Sequence, residues 1–263
     1  MSDTPTIRFE DGAGYERFMG IWSRMVGEFF IDWLAPQGGM RWLDVGCGNG
    51  AFTELLIERC APRAVDGVDP SEQQLAFARM RSTSALATFQ QGDAMALPFA
   101  DSAFDVAVMP LVIFFVPVPA NGVAEMARVV AADGIVAAYS WDMTSGGFPY
   151  DALQDEMRAM DLTVPMPPSL DASRTDVMRD LWADAGLDRI ETREITVERT
   201  FDDFEDYWAT VLCSPSVGRG LASLSGELQE TLRQRMRDQL TADVNGRVTC
   251  SARANAIQGR VRR

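Results

Sequence analysis

Apolar residues recur at spacings of three and four between Tyr15 and Leu34, where Phe18, Trp22, Met25, Val26, Phe29, Phe30 and Trp33 make the stripe of an amphipathic helix. Pro36-Gln-Gly-Gly39 ends it. Beyond that break, short apolar runs alternate with helical repeats, predicting strands over 41–46, 64–69, 87–91, 104–109 and 134–141 and helices over 51–60, 71–82 and 119–131. Such alternation implies a parallel sheet joined by crossover helices. After the Pro-rich stretch Pro165-Met-Pro-Pro168 the pattern predicts a helix over 173–185 with Gly186 as its left-handed cap, then a strand over 188–199. Two more helical patterns follow, 202–213 and 226–243, the first opening on a capping-box-like Thr200-Phe-Asp-Asp203. Asn245-Gly246 then turns into a last extended run, 247–261.

The chemistry begins where the first strand stops. Arg41-Trp-Leu-Asp-Val-Gly-Cys-Gly-Asn-Gly50 is an apolar strand ending in Gly46, Gly48 and Gly50. Those residues bring bare backbone against a nucleotide-like ligand at a helix N-terminus. Reading on to Ala51 also gives a G-x-G-x-x-A dinucleotide fingerprint, so the neighbouring segments decide the cofactor. Asp69, in Val65-Asp-Gly-Val-Asp69-Pro-Ser, ends the second strand at the distance where a carboxylate meets ribose hydroxyls, with Asp66 as the competitor inside the strand. A third segment, Gln91-Gly-Asp93-Ala-Met-Ala-Leu-Pro-Phe99, puts an Asp at the end of the third strand.

Composition narrows the chemistry. The 263 residues, 47% of them hydrophobic, can bury one good core, so one α/β domain with a subdomain is expected. Histidine is absent and every basic side chain is Arg, which removes imidazole, lysine and Schiff-base catalysis. Cys47, Cys60, Cys213 and Cys250 lie too far apart for a zinc site or a disulfide scaffold. A net charge of -14 opposes binding to nucleic-acid phosphates. It suits solubility or a cationic substrate. No run of apolar residues is long enough for a membrane span and no signal-peptide pattern opens the chain, so a cytoplasmic protein is expected.

The three segments in this order resemble the class I S-adenosylmethionine-dependent methyltransferases, especially the ubiquinone/menaquinone-biosynthesis type and its small-molecule relatives, the methyltransferase type 11 family. Arg128-Val-Val-Ala-Ala-Asp-Gly134 is similar to that family's turn before strand five, with Ala131 and Ala132 in place of its usual Lys-Pro. The resemblance covers residues 40–141 well and the flanks loosely. It implies an α/β, Rossmann-like fold: a seven-stranded, mostly parallel sheet with an antiparallel last strand, helices on both faces and a helical lid. The expected organisation is a cap over the cofactor in 1–38, a core in 39–199 and 247–263, and a lid in 200–246.

By the same resemblance, S-adenosyl-L-methionine is the cofactor and S-adenosylhomocysteine the product. Asp44 and Gly46 hold the methionine amino group, Gly48 lets the chain pass close by, and Cys47 and Pro70 lie in the same cofactor-binding loops. Asp69 takes the ribose. Gln74 stands where the family often has a Met packed on adenine, Asp93 and Ala94 meet the adenine amino group, and Leu111 lines the methyl-transfer side. The core motifs supply no cation for the methionine carboxylate, which points to Tyr15 or Arg24 in the first helix. Tyr139 and Asp142, at the carboxyl end of the fifth strand, are candidates to polarise a substrate. No set of oxygen ligands around Asp142 suggests a metal. Tyr207 and Trp208 could wall an aromatic pocket, and Arg219 could meet an acidic group. The acceptor is expected to be a small molecule, since the chain lacks the N-P-P-Y, D-P-P-Y and Thr-His-Trp runs of nucleic-acid and protein methylases. A non-catalytic cofactor-binding protein on the same fold and an NAD(P)-dependent oxidoreductase remain the alternatives.

Overall fold

The structure, a computed structural model, describes residues 16–81, 85–214, 221 and 224–262. Its strands are β1 (Arg41–Val45), β2 (Ala64–Asp69), β3 (Ala87–Gln91), β4 (Phe104–Pro110), β5 (Val130–Trp141), β6 (Leu187–Phe201) and β7 (Val248–Val261). They form one sheet in the order β3-β2-β1-β4-β5-β7-β6. Pairing is parallel from β3 to β5, and β7 runs antiparallel to both β5 and β6. The chain winds outward from β1 to β3, then returns to place β4 on the other side of β1. The strand order therefore switches between β1 and β4, the position at which such sheets open a crevice for ligands.

The helices are α1 (Ile21–Leu34), α2 (Ala51–Cys60), α3 (Glu72–Arg79), α4 (Pro119–Val129), α5 (Asp151–Ala159), α6 (Thr175–Asp184), α7 (Phe204–Leu212) and α8 (Gly226–Gln239). Successive strand residues point to opposite faces, so Trp42 joins the core under α1 and α2 while its neighbour Leu43 joins the core under α4 and α6. α5, α7 and α8 add to the first of these cores. Trp22, Trp42, Trp141 and Trp182 are among the largest fully buried side chains. At ~25 cal/mol per Å², burying one such ring removes about 4 kcal/mol of apolar hydration cost. Trp182 also donates its indole N–H to the Val136 carbonyl at 2.9 Å. It fits there because β7 presents Gly259, where a Cβ would stand 2.8 Å from the indole.

Several local readings change. The first helix begins with a π-helical turn, Glu16–Gly20, before α1. β5 starts at Val130 and shifts register before Ile135, because Gly134 passes so close to the Asp105 carbonyl that a Cβ would lie 2.7 Å from it. Asp203, not Thr200, caps α7 by accepting the Asp206 N–H at 2.8 Å. Thr200 still belongs to β6, where its hydroxyl meets that of Thr249 at 2.8 Å. α5 has no counterpart in the sequence reading. Its apolar pattern is little more than Leu153 and Met157, one turn apart.

β5 ends where Trp141 pairs with Ala254, but β6 and β7 stay paired as far as Phe201 and Val248. A two-stranded ribbon thus rises past the carboxyl edge of the sheet, and α7 and α8 lie in the segment that joins its strands.

Candidate active site

The loop after β1 is shaped by its glycines. Gly46 (φ 75°) and Gly48 (φ 52°) take the left-handed conformation that side chains resist. A Cβ on Gly46 would come within 2.5 Å of Val112, just past β4. One on Gly48 would meet nothing within 4 Å, so the space above that residue is open. The Gly46 and Cys47 N–H groups both bond the Val68 carbonyl, at 2.7 and 3.1 Å, which ties the loop to the end of β2.

Two carboxylates flank this loop. Asp69 accepts the Gly48 N–H at 3.0 Å on one oxygen and the Ser71 N–H at 2.8 Å on the other. Burial pushes its pKa up, and the two backbone bonds oppose that rise. Asp44 is fully buried. The Thr53 hydroxyl donates to its Oδ2 at 2.6 Å, while Oδ1 has no hydrogen-bond partner among the described residues. Burial pushes the Asp44 carboxyl up to about 7, against the Thr53 bond and with help from the Asp69 charge. Cys47 turns its thiol beneath the loop against Leu75, Ala78 and Phe89, and burial raises its pKa well above the usual thiol value.

The other expected contact residues lie along the same edge. Asp93 is exposed just past β3, accepting the Met95 N–H at 2.8 Å, with Ala94 half-buried beside it. Pro70 is exposed, and its carbonyl accepts from the Gln91 side chain at 2.8 Å, joining the ends of β2 and β3. Gln74 is buried on α3, whose first turn is capped by Ser71. Leu111 follows β4 at φ 59°, an unfavourable conformation for a leucine, and donates its N–H to the Tyr139 carbonyl at 2.7 Å.

Five of the expected residues have other partners or surroundings in the structure, and two, Tyr15 and Arg219, lie outside the described residues. Arg24 does not face the glycine loop. It pairs with Glu28 on its own helix and with Glu58 in the last turn of α2, the end remote from the glycines. Tyr139 is buried under α1 against Phe30 and Phe52, with its hydroxyl 3.4 Å from the Ser23 carbonyl. Asp142 is 6% exposed and bonded to the Arg253 guanidinium at 2.6 and 3.1 Å, so its charge is already matched. Tyr207 and Trp208 are buried, the former against Tyr150, Phe201 and Phe204.

Residues that no motif announced brace the glycine loop from outside. Arg81 donates to the Asn49 carbonyl at 2.7 Å, to Glu54 at 2.6 Å and to Glu16 at 3.3 Å, and Asn49 also donates to Glu16 at 3.3 Å. Next in sequence, Arg17 bonds Asp206 at 3.0 Å and Thr210 at 3.3 Å on α7. Only the Asn within Gly-Asn-Gly hinted at such a brace.

The site suits a ligand carrying an amine and a diol: an unpaired buried carboxylate oxygen on Asp44, open space over Gly48, and the Asp69 carboxylate at a strand end. S-adenosylmethionine has both groups. Among the described residues no group of three or more His, Cys, Asp or Glu could hold a metal ion, and no helix is long and apolar enough to cross a membrane.

Residues 43–138 match the family profile of the methyltransferase domain. The chain is 36% identical over 115 residues to the ubiquinone/menaquinone biosynthesis C-methyltransferase UbiE of Roseobacter denitrificans, covering 42% of this chain and 46% of that one. It is 32% identical over 130 residues to the malonyl-[acyl-carrier protein] O-methyltransferase of Pectobacterium atrosepticum, 49% of each chain. The chain thus spans about half the length of these relatives. In fold it superposes on phosphoethanolamine N-methyltransferase 2 of Haemonchus contortus, solved with phosphomonomethylethanolamine and S-adenosylhomocysteine. The TM-score is 0.60 at 16% identity, over 95% of this chain and 57% of that one. Sheet order and the solved neighbour agree on the class I methyltransferase fold, within which residues 43–138 match the methyltransferase domain.

Proposed function

We propose that the protein transfers the methyl group of S-adenosylmethionine to a small-molecule acceptor at the carboxyl edge of β4 and β5. The observation that carries this reading is the pairing of an open glycine loop with Asp44 and Asp69. When bound, the cofactor supplies an electrophilic methyl on a sulfonium centre. Asp44 and the Gly46 backbone would receive its ammonium group, Asp69 its ribose hydroxyls, and Asp93 with the Ala94 N–H its adenine. Cys47 contributes only backbone. Pro70 and Gln74 shape the adenine side, and Leu111 lines the side from which the methyl leaves. No side chain need act as a base: displacement in line gains most from fixing the acceptor and excluding water. The π-helical turn and α1 serve as the cap, and α7 and α8 as the lid, that exclude it.

The relatives methylate carbon and oxygen by name, and the solved neighbour nitrogen, so the acceptor atom is not fixed by kinship. Calorimetric titration of the full chain with S-adenosylmethionine and, separately, NAD tests the cofactor. Binding of S-adenosylmethionine alone at micromolar concentration is expected, whereas binding of NAD alone overturns the reading. Binding of neither favours a degenerate domain on the same fold.

A further inference from the structure

Beyond the glycine loop lies an open cleft of ≈ 490 Å³ with Met143 and Thr144 after β5, Asp151 and Arg158 on α5, and Met166 and Leu170 in its wall. It adjoins the transfer edge through the chain itself. Ser169, just before Leu170, is bonded to the Phe114 and Val116 carbonyls at 3.0 and 2.8 Å, in the segment that follows Leu111. Met143 follows β5, whose Tyr139 carbonyl receives the Leu111 N–H. The rim is fixed by Arg253, which bonds Asp142 at 2.6 Å and the Ser145 carbonyl at 3.0 Å.

The cleft's lining has a net negative charge, two carboxylates, Asp151 and Asp155, against one guanidinium, Arg158, whose charge acts on Asp151 as well. Arg158 bonds Asp155 at 2.6 Å. Asp151 has neither a hydrogen bond nor a salt bridge to its carboxylate among the described residues. Gly146 lies beside that carboxylate, where a Cβ would make ordinary contact with its Oδ2 at 3.4 Å, and Asp151 itself is half-buried. An acid in the first turn of α5 also favours the helix dipole, yet that role needs no cleft and no methionine wall. The volume suits a small organic molecule.

We propose that this cleft seats the acceptor and that Asp151 recognises a protonated amine on it, the apolar part lying against Met143, Met166 and Leu170. This rests on the methyltransferase reading and narrows it to amine-bearing acceptors. The amine is an anchor, distinct from whichever atom takes the methyl.

Ligand-observed NMR on the full chain tests the proposal with three probes of similar size: 2-phenylethylamine, 2-phenylethanol and phenylacetate. The amine is expected to bind about three- to tenfold tighter than the alcohol, and the anion weakest, as a half-exposed ion pair allows. Asp151→Asn should erase that preference, while Asp184→Asn, an equal loss of charge on the exposed end of α6, should keep it. Equal binding of amine and alcohol, an unchanged preference in D151N, or binding of none of the probes overturns the proposal. S-adenosylhomocysteine is titrated into the same samples. Its binding without an amine preference removes only this inference. Its failure to bind beside an intact amine preference removes the methyltransferase reading instead.

Discussion

Asp44 combines two demands that conflict. Its carboxyl is buried, with one oxygen on Thr53 and the other unpaired, and burial pushes it up to about 7. A folded-state value above the unfolded one means that the native protein keeps a proton which the unfolded chain releases. The stability this contributes is complete below about pH 4 and is lost as pH rises to about 7, a swing on the order of 4 kcal/mol. Asp44→Asn should therefore stabilise the ligand-free protein more at pH 8 than at pH 5, as read by denaturant midpoints. The same substitution should weaken S-adenosylmethionine binding, because the ammonium needs the ionised carboxylate. Equal gains at both pH values would show that Asp44 does not titrate in this range. Gly46 offers a second test, since Gly46→Ala must adopt φ 75° and push Val112 from a 2.5 Å contact. A cost of about 1–3 kcal/mol in stability is expected. Calorimetry should also show at least a tenfold loss of cofactor affinity. Gly46 stood out in the sequence as the first glycine at a strand end, and Asp44 through the family resemblance that gives it the cofactor's amino group. Arg24 was singled out as a cation on the first helix, and in the structure its guanidinium pairs with Glu28 and Glu58.

At the level of elements, the π-helical turn joins two parts of the site through consecutive residues. Glu16 meets Asn49 and Arg81 at the glycine loop, and Arg17 meets Asp206 and Thr210 on α7. Arg199, on the ribbon, adds a bond to the Arg17 carbonyl at 2.9 Å. The proposed cap and the proposed lid are thus held by one turn. The Arg17–Asp206 pair is half-exposed and is worth under about 1 kcal/mol to global stability. Arg17→Ala should leave the melting temperature nearly unchanged while amide exchange across 204–212 quickens by about two- to fivefold. Exchange at the wild-type rate would mean that α7 is held by its buried Tyr207 and Val211 alone. None of this was legible from periodicity, which reports which face of a helix is buried but not which other element covers it. α5 shows the same limit: two apolar residues suffice for it because Tyr150, just before it, is anchored by a hydroxyl bond to the Phe18 carbonyl at 2.8 Å.

Across the whole molecule, the alternating pattern between 41 and 141 was enough to predict a parallel sheet with crossover helices, since each helix leaves its own 3.6-residue repeat, while the seven strands with an antiparallel last one came from the family resemblance. The ribbon and the pairing of Asp142 with Arg253 were not readable, because they depend on strands separated by long intervening segments finding a common register. The net charge of -14 could be read from composition, but its use depends on where the ligand sits. Asp44, Asp69 and Asp93 lie along one edge, and Arg81, which braces the loop there, is matched by Glu16 and Glu54. The edge should therefore attract a cation. S-adenosylmethionine carries one net positive charge at neutral pH and S-adenosylhomocysteine, without its sulfonium, carries none. Between about 0.02 M and 0.5 M salt the screening length shrinks from roughly 20 Å to roughly 4 Å, which removes the attraction of all but the nearest carboxylates. Substrate affinity should fall about three- to tenfold over that range and product affinity less than about twofold, so that low salt favours exchange of product for substrate. Calorimetric titration of both compounds across a salt series measures the two slopes. A steeper slope for S-adenosylmethionine assigns the acidity a part in the reaction cycle, whereas parallel slopes leave it the role of keeping the protein soluble.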